Sequence, residues 1–298
     1  MELSKLPNPV QLAIPAFITL ILIEFFWGKV RKSADYEVRD TAASLSMGLG
    51  NIIIGLLTGI IIYGMTTWAY QFRLFEIGHQ WWAFVAVFFL EDFIYYWYHR
   101  WSHENRWLWS AHIVHHSSQH MNLSTALRQT WTGFLVGGWL LWLPLAWIGF
   151  SPQLIAFQKG VSLVYQFWFH TEAIKTMGPF EWIFNTPSHH RVHHATNTAY
   201  LDRNYAGILI IWDRMFGTFE PEDAKNNPCK YGLIHRLGTF NPFKIAFHEL
   251  ASIVKDASSK GISLKARFLY IFGPPGWSHD GSRTTVKDMK RAEKEQKA

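Results

Sequence analysis

The histidines of this chain are concentrated in a few short clusters. Eleven of the 15 histidines lie between His99 and His194, mostly within the strings HRWSH, HIVHH and HHRVHH. Imidazole is the commonest protein ligand for transition metals. Buried imidazoles that converge without a metal would repel one another when protonated. The clusters therefore predict a metal site, and their number favours more than one ion.

The spacing within the clusters brings the rings together. His99 and His103 are four residues apart, which places both on one face of a helix. Helical spacing also unites the next two clusters, which are His112, His115 and His116, and His190, His193 and His194. With His170, which stands alone, these residues supply nine nitrogen donors. Nine donors suffice for two metal ions with four or five ligands each, whereas one zinc ion needs three or four.

The other histidines receive different interpretations. His189 adjoins the third cluster and is a further candidate ligand. His120 lies in the string SSQHMN, which is typical of a polar turn, and is not counted as a ligand. The remaining histidines are interpreted as surface residues or as core residues with satisfied hydrogen bonds, and they are His79, His235, His248 and His279.

Acidic residues near the clusters are candidates for catalytic or positioning roles. Asp92 precedes His99 by seven residues, two helical turns away on the same face. A carboxylate inside a membrane span costs about 2.5–3.5 kcal/mol, which marks it as functional. It could accept the free ring N–H of a ligand histidine. Glu104 and Glu172 could be ligands, acceptors for a ligand or helix-surface carboxylates.

Five apolar runs must position these residues. They cover residues 10–28, 45–70, 81–98, 133–150 and 154–169, with Trp and Tyr crowded at their ends. Bounded runs of this length favour membrane spans over the helices of a large soluble core. The sequence predicts an all-α, multi-span membrane protein. Its parts are N-terminal spans in 1–80, the histidine-bearing region in 81–220 and a C-terminal region in 221–298 with a mobile basic tail.

The basic residues of the loops predict the orientation of the spans. The loop after the first run holds Lys29, Arg31, Lys32 and Arg39, whereas residues 71–80 hold Arg73 as their single basic residue. Because Lys and Arg prefer cytosolic loops, the first loop is expected in the cytosol. The following spans then return the chain to the cytosol before every histidine cluster. We therefore expect a cytosolic helical cap that carries a dinuclear metal site.

Composition and motifs disfavour several other classes of protein. The net charge is +6, and residues 281–298 carry six Lys/Arg against three Asp/Glu, which is typical of a solvated tail beside anionic lipid rather than of a nucleic-acid groove. Cys229 is the single cysteine, which excludes an internal disulfide and a cysteine-ligated metal site. Neither His103 nor His248 begins the H-E-x-x-H motif of a zinc metalloprotease. Ligands on one membrane face disfavour a metal transporter, and histidine triplets disfavour a membrane cytochrome.

The histidine pattern H-x3-H, H-x2-H-H and H-x2-H-H resembles the fatty acid hydroxylase/sterol desaturase superfamily. The strings DFIYYWYHRWSHE, HHSSQHMNLSTALRQ, GPFEWIFNTPSHHRVHHATN and NYAGILIIWDRMFGTFE are similar to its alkylglycerol monooxygenase branch. The resemblance runs from about residue 84 to residue 277, which is most of the chain. It identifies residues 81–220 as the catalytic region.

The resemblance implies a membrane-bound, non-haem di-iron enzyme that uses O2 to hydroxylate or desaturate a lipid. The branch implies cleavage of an ether lipid to a fatty aldehyde and a glycerol derivative, with tetrahydrobiopterin as the electron donor. Glu104 matches the acid that follows the first histidine motif, and His170 and His189 match further family histidines. The metal-ligand motifs fall on His99, His103, His112, His115, His116, His190, His193 and His194.

Alternatives to ether-lipid cleavage remain open. Sterol oxidation and fatty acyl hydroxylation use the same histidine motifs, and an electron-donor protein could replace the pterin. A metal-free membrane scaffold is the alternative outside the enzymes, and a metal assay separates it from them. The expected partners are a lipid substrate, O2 and membrane lipids, without nucleic acid. The expected location is the inner membrane of a bacterium or the endoplasmic reticulum of a eukaryote.

Overall fold

A computed structural model describes residues 6–31 and 35–297 of the chain. Within these residues the chain forms α-helices, short 3₁₀ helices and two isolated β-bridges, and it forms no strand. The α-helices are α1 (Pro9–Arg31), α2 (Val38–Gln71), α3 (Trp81–Glu104), α4 (Arg106–His116), α5 (Leu143–Ile148), α6 (Pro152–Phe167), α7 (Pro187–His194), α8 (Ile211–Met215), α9 (Pro242–Ala257), α10 (Leu264–Phe272) and α11 (Val286–Lys297). The predicted all-α class is confirmed.

Helices α1 and α2 are long and apolar enough to cross a membrane, and no other helix of the described part is. They have 23 and 34 residues, or about 35 Å and about 51 Å of helix, against about 30 Å for the hydrocarbon core. Large apolar side chains on α2 face outward, and Ile60 is 74% exposed. A helix surrounded by lipid is expected to expose such residues. The first two apolar runs are therefore confirmed as long apolar helices.

The fourth apolar run does not form one continuous helix, so the expectation of a straight span over residues 133–150 is wrong. Turns are followed by a 3₁₀ helix at Gly138–Trp142 and by α5, which has six residues. Gly137 has a left-handed φ of 76°, which breaks the helical path. A Cβ on Gly138 would lie 2.3 Å from the ring of Tyr98. The chain therefore folds tightly against α3 here.

The third and fifth apolar runs form α3 and α6, which pack against each other in the interior. Ala83 and Val87 of α3 belong to one apolar core with Leu154 and Ile155 of α6. Helix α6 has 16 residues, about 24 Å, which is shorter than the hydrocarbon core. A membrane crossing by these two helices stays a prediction.

A one-residue break brings the first two histidine clusters face to face. The side chain of Asn105 accepts hydrogen bonds from the backbone N–H groups of Trp107 and Leu108 and thereby caps α4. The extended backbone at Asn105 turns α4 back against α3. The histidines at the end of α3 therefore face those of α4.

Most of the basic tail forms a helix, and its mobility stays a prediction. At the start of α11 the hydroxyl of Thr285 accepts from the backbone N–H of Asp288, as an N-cap does, and donates to the carboxylate of Asp288. Arg283 pairs with Asp256 of α9 through two N···O contacts of 2.6 and 2.9 Å. Lys290 donates to a backbone carbonyl oxygen of residue 201. These contacts place α11 against the body of the protein.

Candidate metal centre

Nine histidine side chains converge in two adjacent groups. Site A consists of His99, His103, His112, His116 and His193. Site B consists of His115, His170, His190 and His194. Within each group the candidate ligand atoms all lie within 4.8 Å of one another. The two sites touch, because the rings of His116 and His194 stack with their centroids 4.4 Å apart.

Helices α4 and α7 each supply both sites. Site A takes His112 and His116, the first and last histidines of the α4 cluster. Site B takes His190 and His194, the first and last histidines of the α7 cluster. The middle histidine of each cluster, His115 or His193, belongs to the other site. Residues i and i+4 share a helix face, whereas i+3 projects beside them. Two short helices can therefore build two neighbouring sites.

The hydrogen-bond partners of His115 and His170 indicate that site B fits a cation. Nδ1 of His170 lies 2.8 Å from the carbonyl oxygen of Gln166, and Nδ1 of His115 lies 3.3 Å from that of Arg128. A carbonyl oxygen only accepts, so both Nδ1 atoms carry the proton and both neutral rings have a lone pair on Nε2. These two Nε2 atoms are 3.1 Å apart. Lone pairs that face each other at this distance repel, and a bound cation relieves the repulsion.

Site A repeats this arrangement. Nδ1 of His99 lies 2.7 Å from the carbonyl oxygen of Tyr205, and Nδ1 of His193 lies 3.0 Å from that of Arg203. Their Nε2 atoms are therefore left with lone pairs. Within the described part of the chain, Nε2 of His193 and Nε2 of His103 are buried without a hydrogen-bond partner. A metal ion would satisfy these buried atoms.

Several pairs of ring nitrogens are close enough to bind one ion together. Nε2 of His112 lies 2.9 Å from that of His99 and 3.0 Å from that of His116. In site B, Nε2 of His115 lies 3.1 Å from that of His194. With metal–nitrogen bonds of about 2.1 Å, ligands at right angles are about 3.0 Å apart, and tetrahedral ligands are about 3.4 Å apart. The observed distances are close to both values, so these donors are near enough to share an ion.

Electrostatics favour the neutral form of several of these rings. Burial, followed by repulsion from neighbouring imidazoles, lowers the pKa of five rings well below the ordinary value, and these are His112, His116, His190, His193 and His194. For His190 and His194 the neighbour with the strongest repulsive effect is another ring of site B. Neutral imidazole is the form that binds metal. A set of nitrogen donors without thiolate suits iron or zinc.

Asp92 positions a backbone segment rather than a histidine ring. Its carboxylate accepts hydrogen bonds from the backbone N–H groups of Ile208 (2.7 Å) and Leu209 (3.0 Å) and from the indole N–H of Trp212 (2.9 Å). The expected hydrogen bond to a ligand histidine is wrong, because residues 205–209 lie between α3 and α8 and take up both oxygens. Asp92 therefore acts on the site through the segment that holds the carbonyl of Tyr205.

Asp213 holds the same segment and was missed by sequence reasoning. Its carboxylate accepts from the backbone N–H groups of Tyr205 and Ala206, at 2.8 Å each, and from the hydroxyl of Thr218 at 2.7 Å. Burial raises the pKa of Asp213 to about 6. The signal that could have found it is an acid directly after the apolar string ILIIW.

Arg128 connects the metal centre to α2 and was also missed. Its carbonyl oxygen accepts from Nδ1 of His115, and its guanidinium lies 2.7 Å from Oδ1 of Asp40 and 3.0 Å from the hydroxyl of Ser44. Arg128 and Asp40 are both almost completely buried. The position of His115 therefore depends on an ion pair with the longest apolar helix.

The remaining candidates lie outside sites A and B. The ring of His189 packs against Phe219 with centroids 5.4 Å apart, and it belongs to neither metal group. Glu104 pairs with Arg100 at the surface, with an N···O distance of 2.9 Å. His120 lies 3.0 Å from Asp35. Glu172 accepts a hydrogen bond from the hydroxyl of residue 231 and belongs to neither site. The structure thus brings together nine of the ten histidines predicted as ligands.

Comparison with known proteins adds to this geometry. The sequence profile of the fatty acid hydroxylase family matches residues 84–218. The chain is 41% identical to an alkylglycerol monooxygenase of Homo sapiens over 92% of this chain and 61% of the human protein. For an alkylglycerol monooxygenase of Danio rerio the identity is 43%, over 82% of this chain and 54% of the relative. No solved structure matches the chain.

A bacterial protein also matches. The chain is 28% identical to an ornithine lipid hydroxylase of Rhizobium tropici, over 71% of this chain and 66% of the relative. The chain spans little more than half the length of the alkylglycerol monooxygenases that it matches. The profile match contains all nine histidines of sites A and B, together with Asp92 and Asp213. The region that carries both histidine groups therefore matches the fatty acid hydroxylase family.

Proposed function

We propose that this chain is a membrane-bound lipid monooxygenase with a non-haem di-iron centre in sites A and B. The observation that carries the proposal is the set of converging Nε2 lone pairs, because two cations would relieve their repulsion. Iron is the metal of choice, since activation of O2 needs a redox-active ion and zinc has no redox chemistry. The names of the relatives, monooxygenase and hydroxylase, support oxidation of a lipid.

We infer that the substrate is an ether lipid, because relatives at 41% and 43% identity are named alkylglycerol monooxygenases. Hydroxylation of the ether-linked carbon uses O2, two electrons and two protons, and it releases one water. The resulting hemiacetal breaks its C–O bond to give a fatty aldehyde and a glycerol derivative. Tetrahydrobiopterin is the proposed electron donor, and an electron-donor protein is the alternative.

The residues around the metal sites would exclude water from the reaction. The ring of Phe169 lies 4.1 Å from that of His190, and the ring of Trp109 lies 5.1 Å from that of His103. Tyr205 is buried against His103 at 5.3 Å, and burial raises the pKa of its phenol well above the ordinary value. When bound, iron would supply the redox chemistry with O2. The chain would hold neutral nitrogen ligands in place and keep a protonated phenol beside site A.

Hydroxylation of an acyl chain is the second candidate reaction. It is favoured by the match to an ornithine lipid hydroxylase of Rhizobium tropici and by the family name. Sterol oxidation is a further alternative within the same class. Substrate choice depends on the shape of the route to the metals rather than on the histidines.

We propose that the metal centre faces the cytosol. The outward apolar faces of α1 and α2 support insertion into a membrane. Lys29 and Arg31, at the end of α1, favour the cytosolic side for the connection between these helices. A soluble donor could then reach the metals from the cytosol.

An oxidation assay tests the proposed function. Purified protein loaded with iron would receive an alkylglycerol in air, with and without tetrahydrobiopterin. We expect a fatty aldehyde that depends on the pterin, and none from the His193→Ala variant. Loss of alkylglycerol without aldehyde, or no oxidation of it at all, would contradict ether-lipid cleavage. Mass spectrometry of phospholipid, ornithine lipid and sterol products then tests the second candidate.

A further inference from the structure

Helices α9 and α10 form a hairpin with an apolar outer face. On α9 the exposed apolar side chains are Phe243, Phe247 and Val254, and on α10 they are Leu264, Phe268 and Phe272. Leu264 is 84% exposed and Val254 is 67% exposed. The spacing of these residues places them on one stripe of each helix. Both stripes point away from the protein, so they need a partner outside the described part of the chain.

The exposed charged side chains on this hairpin are positive. Between residues 242 and 272 the only acids are Glu249 and Asp256. Both turn inward to Arg106, with N···O distances of 2.6 and 2.8 Å. The lysines are all exposed and flank the apolar stripes or lie in the connecting loop, and they are Lys244, Lys255, Lys260 and Lys265. The outer face is therefore apolar with a basic border.

The apolar face of the hairpin continues onto α2. The indole N–H of Trp131 donates to the carbonyl oxygen of Met47 at 2.9 Å, and its ring lies directly on Gly50. On its other side the same ring contacts Phe243 and Phe247, with centroids 5.3 and 6.4 Å apart. Trp131 thus joins the outer face of a candidate membrane span to the outer face of α9.

The hairpin is also fastened to the helix that carries the second histidine cluster. The guanidinium of Arg106, at the start of α4, donates to the hydroxyl of Ser252 at 2.9 Å and to the carbonyl oxygen of Tyr270 at 3.1 Å. The backbone N–H of Arg106 donates to the carbonyl of Gly273 at 2.9 Å. A displacement of the hairpin would therefore also displace α4 and the candidate metal ligands on it.

We propose that the α9–α10 hairpin lies in the surface of an anionic lipid bilayer. The apolar stripes enter the acyl-chain region, and the lysines contact phosphate headgroups. Amphipathic helices with a basic border bind anionic membrane surfaces in this way. A second protein chain fits less well, because all unpaired charges on the hairpin have the same sign and its face is continuous with a candidate span. The hairpin would hold α4, and with it the metal centre, at the membrane surface.

Spin-label depth measurements test the proposal. In a Cys229→Ser background, single cysteines are introduced as Val254→Cys or Phe268→Cys, labelled with a nitroxide, and the full chain is reconstituted in phosphatidylcholine/phosphatidylglycerol vesicles. Matched controls are Ile60→Cys on α2 and Lys294→Cys on α11. We expect the hairpin labels to collide with O2 more than with a soluble nickel chelate, as Ile60→Cys does. Lys294→Cys should show the reverse.

Two results would overturn the proposal. One is a water-like ratio of O2 to nickel-chelate collisions at both hairpin positions. The other is protection from both reagents with dipolar broadening between labels, which would place a second copy of the chain on this face. The measurement needs neither metal nor substrate, so its failure leaves the proposed function standing. Conversely, a failed oxidation assay leaves the depth result unaffected.

Discussion

At the scale of single residues, the metal centre depends on which ring nitrogen carries the proton. Backbone carbonyls of Gln166, Tyr205 and Arg203 accept from Nδ1 of three histidines and thereby leave Nε2 free for the proposed metals. Sequence reasoning assigned this task to Asp92. The carboxylate instead holds the backbone that presents one of the carbonyls. Asp92 contacts no candidate ligand, yet it fixes the backbone segment to which His99 is hydrogen-bonded.

Neighbouring histidines on α7 should differ in function. His193 belongs to site A, whereas His189 faces Phe219. We expect His193→Ala to lower lipid oxidation at least about a hundredfold, because site A loses a nitrogen ligand. Loss of a residue that only supports a ligand already costs about tenfold to a hundredfold. His189→Ala should keep at least about half of the activity, as expected of a residue with no metal contact. Equal loss in the two variants, measured by product formation, would contradict the assignment of ligands.

Asp92→Asn should destabilise the protein even without metal. The amide would set an NH2 group against one of the N–H donors, with a cost of about 2–4 kcal/mol for lost hydrogen bonds to a charged group. Glu104→Gln is the matched control, because Glu104 is half exposed and a surface ion pair contributes about 0–1 kcal/mol. Chemical unfolding of the metal-free variants measures both. Equal free energies of unfolding would show that Asp92 does not hold the segment.

At the scale of elements, the site depends on short joints between helices. The cap at Asn105 turns α4 back against α3. The pair formed by Arg128 and Asp40 ties the segment after α4 to α2. Each joint fixes the angle at which a histidine cluster meets the next. The joints therefore set the geometry of the site.

Loss of Arg128 should disturb site B more than site A. Arg128→Met leaves Asp40 buried without its partner, which costs about 3–5 kcal/mol. We expect a lower free energy of unfolding and weaker binding of one metal ion per chain. The double variant Asp40→Asn/Arg128→Met removes the isolated charge and should recover part of the stability. An additive result in this double-mutant cycle would show that the two side chains do not interact.

The sequence predicted the ligand pattern well and the shape of the chain around it less well. Helical spacing grouped eight of the nine histidines, because i, i+3 and i+4 are geometric properties of a helix, and His170 was added as a lone candidate. It could not divide them into sites A and B, since that depends on how α4 meets α7. The run at 133–150 read as one span because hydropathy ignores backbone breaks such as that at Gly137. The short helix in the basic tail was not predicted, because the cap at Thr285 was overlooked.

At the scale of the whole molecule, apolar helices lie outside and the polar centre lies where they end. The outer faces of α1 and α2 are apolar, while the nine histidines are almost all buried. Such a distribution suits a protein that meets lipid on its outside and oxidises it within. Burial of so many imidazoles would be costly without a cation.

Metal should therefore be part of the stability of the fold. Removal of metal with a chelator should lower the thermal midpoint, because an ion that binds only the native state stabilises it by about 2.7 kcal/mol at one hundred times its dissociation constant. The variant His115→Ala/His193→Ala, which damages both sites, should show a much smaller chelator effect. Scanning fluorimetry measures this. If the chelator leaves the thermal midpoint of the unmodified chain unchanged, the result would contradict a metal-stabilised core.

The most direct test of the central claim is a count of iron per chain. Mass spectrometry of the elements in purified, iron-loaded protein should give two irons for the unmodified chain. His193→Ala should retain about one, through site B, and His190→Ala about one, through site A, as expected when each variant damages one of two sites. One iron or none in the unmodified chain, or two irons in both variants, would contradict a dinuclear centre built from these histidines.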